Sequence, residues 1–314
     1  LARFSVSREG TLAYRTGESG SRLLWVNRAG KEAETAGDPG EFGNPALSAR
    51  GDRLAFNLVD TRSGKSSIWI RDLARGVSSR FSFGTTDEHI PVWSPDGSRV
   101  VFSVVREPAW DLFEKSAAGE GEARELLKTN EWTFASDWSR DGRYIAFSSR
   151  GKETNWDIWM LPTFGDRKPI PFVKTGFAEA GAVFSPDGRY VAYQSNESGR
   201  PEIYVRSFPG PGGKWQVSTA GGSGPSWRAD GKEIFYRAAD QKLMAVEVAT
   251  GQEFQAGTPK PLFTATVKSG NARNKYLAAP DGQRFLLVAP LGREAMTPTS
   301  VVLNWAAELT VAPR

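Results

Sequence analysis

The sequence predicts an all-β protein with almost no helix, a single β-propeller over residues 1–314 built from seven four-stranded blades, with six as the alternative. Three observations predict it: a turn motif recurring seven times at near-constant spacing, a set of short apolar strands around each copy, and the lack of any helical window. The motif copies are SREGTLAY from Ser7, SARGDRLAF from Ser48, SPDGSRVVF from Ser94, SRDGRYIAF from Ser139, SPDGRYVAY from Ser185, RADGKEIFY from Arg228 and APDGQRFLL from Ala279. Their shared glycines are Gly10, Gly51, Gly97, Gly142, Gly188, Gly231 and Gly282, separated by 41, 46, 45, 46, 43 and 51 residues. Periods of this size mark stacked or radial repeats.

Each part of the repeat has a physical reading. Pro-Asp-Gly after Ser is turn chemistry: Pro presets φ, Asp suits the next position, and Gly closes the turn. The segments before and after it, such as PVW ending at Trp93 and RVVFSV from Arg99, are the two strands of a hairpin. A third apolar strand follows: LLWV at Leu23, IWI at Ile68, DLF at Asp111, DIWM at Asp157, EIYV at Glu202, LMAVEV at Leu243 and VVLNW at Val301. A weaker fourth, as in SRFSF at Ser79 and RKPIPF at Arg167, completes a blade. Blades are expected to start near residues 4, 44, 89, 134, 180, 223 and 274. No stretch of ten residues shows 3.6 periodicity. Trp25, Trp69, Trp93, Trp138, Trp159, Trp227 and Trp305 fall on strands, where flat rings fill the gaps between sheets. The last copy lacks a fourth strand, so ring closure is expected from Leu1–Phe4 or from a segment upstream.

Composition narrows the function. There is no cysteine, which excludes disulfides, thiolate metal sites and a Cys nucleophile. Forty basic residues against 36 acidic give +4 and a pI near 9.2, but no run of like charges marks a nucleic-acid surface. Hydrophobic residues, 39% of the chain, are too dispersed for a membrane-spanning segment. The stretch opens with Leu1 and has no basic segment followed by an apolar run, so no targeting signal is expected within it. His89 is the sole histidine, so a Ser-His-Asp triad would have to use it, and no GxSxG elbow accompanies it. One histidine cannot build a multi-histidine metal site. No catalytic residue, metal site or cofactor is therefore expected, and paired carboxylates of the glycosidase kind stay open by counting.

The loops entering the first strand of each repeat read GEFGNP, DEHIP, NEWTFA and FAEAGA, placing Glu41, Glu88, Glu131 and Glu179 at equivalent positions. The next two repeats carry Gly222 and Arg273 there. An acidic arc around the channel mouth is expected, flanked by His89 and Trp132 and suited to a cation, a small ligand or a basic peptide. The alternative is four solvated glutamates that share repeat ancestry. The turn residues Asp96, Asp141, Asp187, Asp230 and Asp281 lie on the opposite face and are explained by the turns.

The repeats WSPDGSRVVFSV…DLF and FSPDGRYVAYQSNESGRPEIYV resemble the WD-like repeat of the periplasmic translocation protein TolB and its relatives. FPGPGGKWQVSTAGG, GKEIFYRAADQKLMAVEV and VVLNWAAEL are similar to the C-terminal propeller region of bacterial receptor-type serine/threonine kinases. That resemblance implies a non-catalytic sensor or scaffold with a protein or peptide partner, in a periplasmic or other extracytoplasmic location. A free-standing TolB-like interaction module and a propeller carbohydrate-active enzyme are the alternatives. IRDLARG at Ile70 mimics a kinase catalytic loop but lacks its His and Asn and falls on a strand.

Overall fold

A computed structural model describes residues 3–7, 10–15, 20–151, 155–251, 253–269, 273–291 and 300–303. Among them there is no helix, and therefore none long and apolar enough to cross a membrane. The strands form six antiparallel blades. The first runs Glu41–Leu47, Arg53–Val59, Ser66–Asp72 and Val77–Arg80, from channel to rim. The second is Glu88–Trp93, Arg99–Arg106, Ala109–Ser116 and Arg124–Leu127; the third is Thr133–Trp138, Tyr144–Arg150, Trp156–Pro162 and Ile170–Val173. The fourth is Glu179–Phe184, Tyr190–Ser195, Glu202–Ser207 and Lys214–Gln216. The fifth contains Ser223–Trp227, Glu233–Arg237 and the long Lys242–Thr250, which pairs with Lys260–Thr264 at one end and with Phe254–Ala256 at the other.

The sixth blade takes Tyr276–Ala278 and Arg284–Pro290 from the C-terminal part, and Ser21–Asn27 and Glu32–Thr35 from the N-terminal part. Continuous pairing from Arg284↔Asn27 to Pro290↔Ser21 closes the ring. The ring thus has six blades, the alternative that the sequence allowed, and two expectations are corrected: LLWV belongs to the last repeat rather than the first, and the strand that closes the ring is Ser21–Asn27. Arg3–Val6, Thr11–Arg15 and Ser300–Leu303, read as parts of the first and last repeats, pair with one another in a separate three-stranded sheet. The reason lies in burial. Leu23, Leu24, Trp25 and Val26 are all at most 5% exposed, packed on both faces of the sixth blade, whereas Val301 and Leu303 are 58% and 74% exposed. The segment that buries two apolar faces is the one the last hairpin takes as its third strand.

The core is divided among the blade interfaces. Six apolar clusters lie one to each pair of neighbouring blades; Ile68 and Ile70 meet Trp93 and Phe102 between the first two, and Trp25 and Leu286 meet Phe42 and Leu54 across the closure. Trp25, Trp93 and Trp138 are buried there, and Trp69, Trp159 and Trp227 are partly buried against the same clusters. Trp305 lies outside the described residues. Arginines at the start of second strands add cation–π contacts between blades: Arg53 lies 4.6 Å from the Trp93 ring centre and Arg99 lies 4.7 Å from that of Trp138.

The turns behave as their residues require. Ser94 Oγ donates to Asp96 Oδ1 at 2.6 Å and accepts the Arg99 N–H, while Gly97 takes a φ of 69°. The same hydroxyl–carboxylate pair recurs as Ser139–Asp141 and Ser185–Asp187. Hydrogen bonding from Ser94 holds the Asp96 carboxyl down at about 2.

Candidate functional site: the central channel

The innermost strand of five blades carries one extra residue, a bulge between Gly43 and Ala46, between His89 and Val92, between Ala135 and Asp137, between Ala180 and Val183, and between Ser223 and Ser226. Asn44, Ile90, Gly181 and Gly224 sit in the bulges with positive φ. Bulges bend the strand ends and re-aim their side chains. The ring they surround encloses a cavity of about 980 Å³.

The walls of that cavity are aromatic and basic. Trp110, Trp132, Trp156 and Phe134 line it, together with Arg140, Arg150, Arg237, Arg273 and Lys275, and Asp137 is the one carboxylate among the described lining residues. At the mouth the rings are layered. His89 stacks on Trp110 at 5.5 Å, Trp110 stacks on Trp132 at 5.8 Å, both at 14°, and the Arg150 guanidinium lies 5.8 Å from the Trp132 ring centre on which it stacks. The backbone sets this spacing. Trp110 N–H donates to the Glu131 carbonyl, and the Trp132 indole N–H donates to the Pro108 carbonyl at 3.1 Å. Phe134 and Trp156 form a second pair at 4.9 Å.

Arg273 occupies the middle of the channel. Its backbone N–H is held by Asn44 Oδ1 of the first blade at 2.7 Å, and its guanidinium donates to the Ala135 carbonyl of the third blade at 2.9 Å and lies 5.4 Å from the Phe134 ring centre. Burial lowers it to about 10. Asp137, which accepts the Phe184 N–H at 2.7 Å, is pushed up by burial to about 6. Each group partly offsets the other's loss of water.

The six residues expected at the mouth are distributed differently. Trp132 lines the channel; Glu41, Glu88, His89, Glu131 and Glu179 do not. The glutamates are turned into the walls, where hydroxyls and an ammonium meet them. Lys268 pairs with Glu41, the Ser82 hydroxyl donates to Glu88, Ser149 Oγ donates to Glu131 at 2.6 Å, and the Thr175 hydroxyl donates to Glu179. Ser82 and Thr175 leave the outer strand of the preceding blade, so two of these bonds tie consecutive blades. Glu88 and Glu179 are buried, and burial raises both carboxyls, the Asp157 charge adding to the effect at Glu179. Burial also lowers His89, against the pull of Asp87. The acidic arc is thus replaced by an aromatic and basic rim.

Trp110, Trp156, Phe134, Arg150 and Arg237 were not singled out from the sequence. A signal existed for some of them: Trp-Asp stands at the start of the third strand in two successive repeats, Trp110-Asp111 and Trp156-Asp157. Arg150 and Arg237 each end a second strand. Nothing local marks Phe134 as a channel residue.

No protein-family model matches the sequence, and no curated protein matches it. Solved structures do. A putative TolB from Agrobacterium tumefaciens superposes with a TM-score of 0.68 at 19% identity over 88% of this chain and 100% of that one. TolB from Acinetobacter baumannii gives 0.59 at 14% identity, covering 83% and 82%. An oligogalacturonate lyase in complex with manganese gives 0.59 at 15% identity, covering 93% and 96%. At identities this low the likeness speaks to architecture alone: the chain has the β-propeller fold of the TolB-like structures.

Proposed function

We propose that this propeller is a non-catalytic recognition module that receives a segment of a partner protein in the mouth of its channel. The observation that carries the reading is the cavity itself, about 980 Å³ with nine aromatic side chains and one carboxylate on its described walls. Hydrolysis of a glycosidic bond by general acid and base uses two carboxylates flanking the bond. Asp137 alone does not supply that pair. Stacked, preorganised indoles are suited to holding a side chain or a chain segment with little loss of conformational entropy. Of the residues expected from the sequence, Trp132 contributes directly.

The receptor-kinase setting, in which the propeller is the sensor or scaffold region, is supported by the three C-terminal segments quoted above, and an extracytoplasmic location by the resemblance to TolB. Reading the surrounding gene for a kinase domain, and fractionating cells that express it, test those two parts. A carbohydrate-active propeller is the second reading, favoured by the likeness to oligogalacturonate lyase.

A thermal-shift screen with peptides and oligosaccharides tests the main reading. A ligand at 100 times its dissociation constant that binds only the closed ring adds about 2.7 kcal/mol. Peptide-dependent stabilisation that Trp132→Ala abolishes supports the reading; stabilisation by oligosaccharides with product release overturns it.

A further inference from the structure

We propose that the mouth of the channel is a receptor for the carboxylate side chains of an acidic peptide segment, with Arg237, Arg150 and Arg273 as the anion-binding groups. The inference rests on the channel being the recognition site and names the chemistry of what enters it.

Several guanidiniums in the molecule lie against carboxylates, as Arg99 does with Glu114 at 3.2 Å and Arg200 with Glu202 at 2.8 Å; these three channel-lining arginines do not. Among the described residues, no salt bridge involves Arg150, Arg237 or Arg273. Arg150 lies over Trp132, and Arg273 donates to the backbone carbonyls of Ala135 and Ser136. The Nε atoms of Arg237 and Arg273 are buried and have no hydrogen-bond partner. A buried donor without an acceptor is destabilising, and an arriving acceptor relieves it.

Topology gathers these groups at one end. Arg150 and Arg237 are the last residues of the second strands of the third and fifth blades, and repeat equivalence puts both at the end where the innermost strands begin. Arg150 is paired with Trp156, Arg237 with Ser223, and Arg273 stands below them across the channel. Positive charge in a concave, low-dielectric wall draws anions, and the planar guanidinium fork matches a carboxylate. The remaining lining favours a peptide over an acidic sugar. Ile90, Pro91 and Val92 beside Phe134 and the tryptophans give apolar surface for the aliphatic stems of acidic side chains, while serines such as Ser136, Ser223 and Ser226 supply hydroxyls open to either kind of ligand.

The test is a fluorescence titration of the whole chain, read from the channel tryptophans, with N-acetyl tetraglutamate amide, its tetraglutamine counterpart and trigalacturonate. The tetraglutamate is expected to bind at least about tenfold tighter than tetraglutamine and to weaken with added salt. Arg237→Gln is expected to remove that preference at unchanged thermal stability, and Arg237→Lys to keep part of it. Should Arg237→Gln fail to fold, Arg150→Gln carries the same comparison. Equal affinity for the two peptides overturns the carboxylate receptor while leaving the channel as a recognition site. Tetraglutamate binding that survives both Trp132→Ala and Arg237→Gln places the anion elsewhere and overturns it too. Tighter binding of trigalacturonate overturns the peptide in favour of an acidic sugar. Binding of none of the three overturns the proposal.

Discussion

Arg273, carried on the strandless segment before the sixth blade, donates through its guanidinium to the Ala135 carbonyl on the innermost strand of the third blade, 2.9 Å away. One side chain thereby links opposite sides of the ring through its centre. Its charge also faces Asp137 on the same wall, which favours the ionised form of each.

Removing that link should loosen the ring. Arg273→Met keeps much of the volume but abandons the carbonyls and removes one of the two cationic charges acting on Asp137, at an expected cost of about 2 kcal/mol. Chemical denaturation measures it. A variant as stable as the parent would show that the crossing contact adds nothing to ring stability.

The same pair makes stability depend on pH. Asp137 has a folded value of about 6 against an ordinary 3.8, so between those values the native chain keeps a proton that the unfolded chain has released. Stability therefore falls as pH rises from about 4 to 6, by at most about 3 kcal/mol, less to the extent that water fills the channel beside the carboxylate. Glu88 and Glu179, raised by burial as well, contribute slope in the same direction. Asp137→Asn should flatten part of the profile and raise the melting temperature at neutral pH, as read by calorimetry at several pH values.

Closure by the N-terminal strand predicts an asymmetry between two leucines. Leu23 is completely buried in the sixth blade, and Leu23→Ala should cost about 2–5 kcal/mol. Leu303, 74% exposed on the separate sheet, should tolerate alanine within about 0.5 kcal/mol. A seven-bladed ring with Val301–Leu303 inside it would make both substitutions costly. Paired denaturation curves distinguish the two arrangements.

Glu88 offers a different contrast. Its carboxyl is buried and takes the Ser82 hydroxyl, so Glu88→Gln, which keeps an acceptor, should fold with a loss near 1 kcal/mol. Glu88→Lys places an unpaired ammonium there and should abolish folding at ordinary temperature, as circular dichroism would show. Equal stability of the two variants would mean that the carboxyl faces water instead.

Much of this molecule is legible in the chain. The seven Ser-x-Asp-Gly or related turns, the strand positions and the tryptophans between sheets follow from local chemistry, because a turn closed by Asp and Gly depends on residues within five positions of one another. That locality is also why Asp96 and its equivalents could be assigned to turns from sequence alone. Glu41, Glu88, Glu131 and Glu179 show the limit. Their alignment in the repeat is real, but whether a carboxylate faces the channel or a wall depends on a partner some distance along the chain: Ser82 for Glu88, Ser149 for Glu131, Lys268 for Glu41. Arg273 shows it too, since nothing near it in sequence announces Ala135.

The sequence by itself determined that the chain is all-β, that it repeats, and that the repeat is the unit of a propeller, because strand period and turn geometry are short-range properties. Tertiary structure decided the number of blades, the strand that closes the ring and the character of the channel. Those depend on which apolar segment buries both its faces when the ends meet, as Leu23–Val26 does against Arg284–Pro290, and on which charges the closed ring leaves without a partner. Both are sums over the whole circle, which no single repeat contains.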